Sequence, residues 1–94
     1  MSLKENYELL EQKALKIKST LQQLQEEMTG LEKRIQLVES DPNFLETQIQ
    51  PLYELLWDSQ ISYKHHQVEL NTLILQLQQF QHILKDIQEV DALL

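Results

Sequence analysis

From Leu3 to Val38 the apolar residues recur at alternating steps of four and three: Leu3, Tyr7, Leu10, Ala14, Ile17, Leu21, Leu24, Met28, Leu31, Ile35 and Val38. This spacing predicts a helix with one narrow apolar seam, of the kind that packs knobs into holes on a second helix. An ordinary surface helix shows a broader and less regular stripe. With Tyr7 at heptad position a, Leu10 falls at d and Gly30 at c, on the solvent side, where it weakens helix propensity without disturbing the seam. Ser2-x-x-Glu5 forms a capping box at the start, able to satisfy two orphan amide donors.

The pattern breaks at the stretch Glu39–Phe44, "ESDPNF". Asp41 suits the cap of a new helix and Pro42 its first turn, where no amide hydrogen is missed. Pro51 is a second punctuation point, because the residue before it is biased away from helical angles. The expected organisation is a single helical domain over 1–94, with a first helix at about 3–39, a connector at about 40–50 and a second helix at about 51–92. Beyond the break the three–four alternation resumes through Leu45, Ile49, Leu52, Leu56, Ser59, Tyr63, His66, Leu70, Leu73, Leu77, Phe80, Leu84, Ile87, Asp91 and Leu94. Taking Ile49 as a places three polar residues on the seam: Ser59, His66 and Asp91. A buried polar group at a or d costs stability but penalises wrong registers and oligomers. Ser59 and His66, one heptad apart, are the candidates for that role.

Two such seams joined by a short connector predict an all-α fold, a long antiparallel helical hairpin of coiled-coil type. At ~1.5 Å per residue the helices are expected to match in length, roughly 54 and 60 Å. One register consistent with the connector sets Tyr7 by Phe80, Ala14 by Leu73, Leu21 by His66, Met28 by Ser59 and Ile35 by Leu52, with shifts of one heptad left open. The rival topology, the first helix paired in parallel with its own copy, would oppose Lys13 to Lys18 and Glu27 to Glu32 across the interface, with only Arg34 and Glu39 attracting. Those flanking charges disfavour it.

Composition narrows the class of work. Leu, Gln, Glu, Lys and Ile dominate, and with one glycine and two prolines the chain has few residues for the tight turns that β-structure requires. The net charge of −7 is concentrated in one half: residues 1–40 hold six Lys/Arg against seven Asp/Glu, residues 41–94 two against eight. No basic stripe exists to neutralise phosphates, so nucleic acid is not an expected partner, nor is an anionic membrane surface. No apolar run approaches the ~20 residues that span a bilayer, so membrane insertion is not expected. A cytoplasmic location is the default expectation. The absence of cysteine removes thiolate chemistry.

"YKHHQVEL", Tyr63–Leu70, is the one stretch that invites a catalytic or metal reading. Adjacent helical residues point about 100° apart, so His65 and His66 cannot share an ion. His65 or His66 with Glu69 gives two ligands, too few for a structural zinc site. One glycine cannot build a phosphate-cradling loop. No enzymatic activity, metal or cofactor is expected.

A second stripe carries the functional expectation. Ile61, Val68 and Leu75 repeat every seven residues at f, and Trp57 at b lies one turn before Ile61. In a lone hairpin these positions face water, an unusually long apolar patch. Trp57, Ile61, Val68 and Leu75 are therefore the expected partner or oligomer interface, through which the hairpin assembles into a larger helical bundle. The expected function is that of a non-enzymatic structural or interaction protein: an oligomerising subunit, adaptor or scaffold piece binding a protein partner or its own copy, a dimer being the favoured state. The alternative is a small helical chaperone that caps an apolar helix of a partner protein.

Overall fold

The structure, a computed structural model, describes residues 2–93, without the side chain of Ala92. Two helices, α1 (Leu3–Glu39) and α2 (Glu46–Leu93), lie side by side in a body of 78 × 18 × 15 Å. Side-chain hydrogen bonds near both ends show the pairing to be antiparallel. Gln81 Nε2–H donates to the Tyr7 hydroxyl at 2.9 Å, and the Tyr53 hydroxyl donates to Glu39 Oε1 at 2.7 Å.

The seam follows the periodicity. On α1, Ala14, Ile17, Leu31 and Ile35 are buried, while Tyr7, Leu10, Leu21, Leu24, Met28 and Val38 are half-buried. On α2, Ile49, Ser59, Leu70 and Leu73 are buried, and Tyr63, His66, Leu77 and Phe80 are half-buried. Ala14, Ile17, Leu70 and Leu73 form one cluster, with Leu10, Leu21, Ile74 and Leu77 packed around it. Ala14 thus shares a cluster with Leu73, and Tyr7 bonds the residue next to Phe80, so the register is the one expected and not its heptad-shifted neighbours. Gly30 is exposed within α1 at an ordinary helical φ, with nothing within 4 Å of where a Cβ would stand.

At the start of α1, Ser2 is extended (φ −75°, ψ 162°) and its Oγ accepts from the Glu5 amide at 3.2 Å. This is the serine half of the capping box. The helix ends at Glu39. The Ser40 amide still donates to the Gln36 carbonyl at 3.0 Å, and that of Asp41 to the Val38 carbonyl at 3.1 Å.

The connector corrects the expectation for the second helix, which starts at Glu46 and not at 51, so the connector is residues 40–45. Asp41 does not cap a helix. Its Oδ1 accepts from the Asn43 amide at 2.9 Å and its carbonyl from the Phe44 amide at 3.1 Å. Asp at the first and Pro at the second position suit such a turn as well as they suit a helix start. The helix begins instead around Leu45. The Gln48 amide donates to the Leu45 carbonyl at 2.9 Å, while Gln48 Oε1 reaches back to accept from the Leu45 amide at 3.1 Å. Glutamine is filling the reciprocal half of a capping box. Pro51 consequently lies inside α2. It falls in the second turn, where it removes one donor, the one due to the Thr47 carbonyl.

The helices are also less equal than expected, 37 residues against 48. With Gln81 opposite Tyr7, α1 runs out near residue 85 of α2. Ile87, Val90 and Leu93 are exposed, and so is Asp91. The seam spacing continues there with no α1 residue opposite it.

Tyr53 and Glu39 tie the two helices together beside the connector. The hydrogen bond to Glu39 raises the Tyr53 pKa above its ordinary value of 10.0, with slight desolvation and the carboxylate charge acting in the same direction. A raised folded pKa means that the folded chain holds the proton more tightly. The stabilisation is fully present below about pH 10 and is lost as pH rises through the raised value. Alkaline melting curves of the wild type are therefore expected to fall more steeply above pH 10 than those of Tyr53→Phe. Parallel curves would show that the contact does not persist in solution.

Candidate protein-binding face

Positions b and f of α2 point away from the seam because α1 covers the a and d side. Trp57 is 65% exposed, Ile61 43%, Val68 66% and Leu75 61%. The four residues of the second stripe thus lie together on the outer face of α2. Around Trp57 and Ile61 the surface is concave. An open depression there is lined also by Met28 of α1 and by Tyr63 and Lys64 of α2. Trp57 is the only tryptophan of the chain.

The two polar seam positions differ in burial. Ser59, 8% exposed, is the buried polar residue among the described residues. His66 is half-buried, and its Nδ1–H donates to the Ser62 carbonyl one turn back at 2.7 Å. That bond places the proton on Nδ1, since a carbonyl only accepts. The same bond gives Nδ1 its partner within its own helix. His65 and Glu69 are exposed. Among the described residues no group of three or more His, Cys, Asp or Glu is placed to hold a metal ion. Among them, too, no helix is long and apolar enough to cross a membrane.

The cross-helix contacts Tyr53–Glu39 and Gln81–Tyr7 were not singled out from the sequence. A signal for the first was present. Glu39 and Tyr53 both occupy e in their respective heptads, and antiparallel pairing brings e against e. Compared with protein-family models, curated proteins and solved structures, the chain matches none.

Proposed function

We propose that this protein is a non-enzymatic helical-hairpin interaction module, whose outer α2 face is the surface on which it assembles. The supporting observation is the line of Trp57, Ile61, Val68 and Leu75, all exposed on the side of α2 turned from α1. Burying such side chains is worth roughly 1.5–3 kcal/mol each. Four of them yield several kcal/mol towards an interface after the cost of association. The hairpin supplies a stiff rod that holds the four residues in a row. In this reading the protein works as a subunit, adaptor or scaffold piece, and the seam to α1 keeps the face straight.

The test changes Ile61 and Val68 together to Glu. Neither residue is in the seam, so the far-ultraviolet signature of helix is expected to be unchanged. Association measured by solution mass, or binding of a protein partner, is expected to weaken by at least about 100-fold. Emission from Trp57 follows the same event, because an indole leaving water shifts to the blue. Wild-type Trp57 emission that stays that of a hydrated indole at every concentration, alone and with the proteins of the source cell, would overturn the proposal.

A further inference from the structure

Two open depressions flank the apolar stripe, and they occupy equivalent heptad positions. One is lined by Gln50, Tyr53, Glu54 and Trp57, with Asp58 beside them. The other is lined by Gln78, Gln81, His82 and Lys85. Each of these last four residues lies four heptads after its counterpart in the first set. In a helix that keeps one seam, residues separated by whole heptads share a face. Both depressions therefore open on the face that carries Ile61, Val68 and Leu75. Their linings differ in charge: Glu54 and Asp58 are carboxylates in the first, while Lys85, with His82 beside it, is the cation of the second, and all four are exposed. At ~1.5 Å per residue Glu54 and Lys85 are about 47 Å apart, so they cannot neutralise each other within one chain.

We infer that the occupant of this face is a second copy of this chain, its α2 laid antiparallel on the first about a two-fold axis near Val68. This inference rests on the interface reading above and specifies its partner. A two-fold axis at Val68 sets Ile61 of each copy alongside Leu75 of the other. It also places Glu54 of each copy opposite His82 and within a turn of Lys85 of the other, twice over, while Asp58 lies about one turn from His82. A parallel arrangement would instead oppose Glu54 to Glu54, Lys64 to Lys64 and Lys85 to Lys85. Charges of this kind set orientation more than affinity, and the apolar residues supply the attraction. The contact length of about 47 Å, with a helix width of about 10 Å, covers on the order of 500 Å² per chain, or 1,000 Å² in total. That reaches the lower bound for a specific interface. The product is a four-helix assembly with the two α2 helices at its centre and the two α1 helices outside.

Charge reversal on the full chain tests the arrangement, with association read by sedimentation equilibrium and helicity checked by circular dichroism. Glu54→Lys alone and Lys85→Glu alone are each expected to weaken dimerisation about tenfold, because each turns two attractive contacts into repulsive ones. The double variant Glu54→Lys/Lys85→Glu is expected to recover wild-type association. A mixture of the two single variants is expected to pair preferentially with each other. A dimer that Ile61→Glu/Val68→Glu dissociates but the single charge reversals leave unchanged would overturn the antiparallel arrangement while sparing the interface. A wild-type monomer at all attainable concentrations would overturn the second copy as occupant and leave the face for a different protein. A dimer indifferent to every one of these changes would overturn both readings.

Discussion

Replacing Leu70 with alanine is expected to lower the free energy of unfolding by about 2–3 kcal/mol. Leu70 is buried with Ala14, Ile17 and Leu73 in a cluster that joins the first half of α1 to the middle of α2. Truncation removes its transfer free energy and leaves a void in that cluster. The expected loss lies toward the low end for such changes because the seam is thin. Among the described residues no large side chain is sealed completely from solvent, so water and neighbouring side chains partly close the gap. Leu15 is the matched control. It is 63% exposed on α1, and its replacement by alanine is expected to change stability by about 0.5 kcal/mol or less. Denaturant unfolding of the two variants gives the comparison. Equal effects would mean that this cluster is not packed in solution as described.

The second large effect has the opposite sign. Pro51→Ala is expected to raise the free energy of unfolding by about 1–2 kcal/mol. Proline inside a helix costs roughly 3 kcal/mol relative to alanine. Removing it also frees the unfolded chain, which takes back about 0.4–1 kcal/mol, and the second-turn position softens the penalty further. The substitution supplies the amide hydrogen due to the Thr47 carbonyl, so exchange protection is expected to rise across the first turns of α2. Such a gain follows only if α2 begins at Glu46, ahead of the proline. Were residues 46–50 irregular in solution, Pro51 would be a favourable first-turn residue and its loss would destabilise the chain.

These two substitutions fall on either side of what the sequence makes legible. From Tyr7 to Val38 and from Ile49 to Leu84 the seam could be read residue by residue, because burial in a two-helix rod is decided by a single geometric rule, the heptad; Leu3 and Leu45 keep the spacing but are exposed. The rule carried through Ser59, which is buried although polar, and through His66, which settles its ring nitrogen on the Ser62 carbonyl. It also assigned Trp57, Ile61, Val68 and Leu75 to the outside, where they are exposed. The start of α2 was not legible, because Asp41-Pro42 is equally good chemistry for a helix cap and for a turn. The deciding contact, Gln48 with Leu45, uses a side chain that carries no strong local signal. The overhang of α2 was hidden for another reason. Ile87 keeps the seam spacing whether or not a helix lies opposite, and only the end of α1 determines that none does. Glu54 and Lys85 were legible as f and b residues of the outer face, but that each lines a depression there was not.

Everything assigned to the outer face depends on α1 covering the inner face of its own α2. The distance between spin labels at Lys13 and Gln76, both exposed and both at g, positions that antiparallel pairing brings together in the observed register, tests this most directly. Helix axes packed about 8–10 Å apart place such labels within roughly 20 Å of one another. A distance of that size, unchanged when the labelled chain is diluted with unlabelled chain, is the expected result. A short distance that disappears on dilution would show the helices pairing between chains, and the absence of any short distance would show that they do not pair in this register.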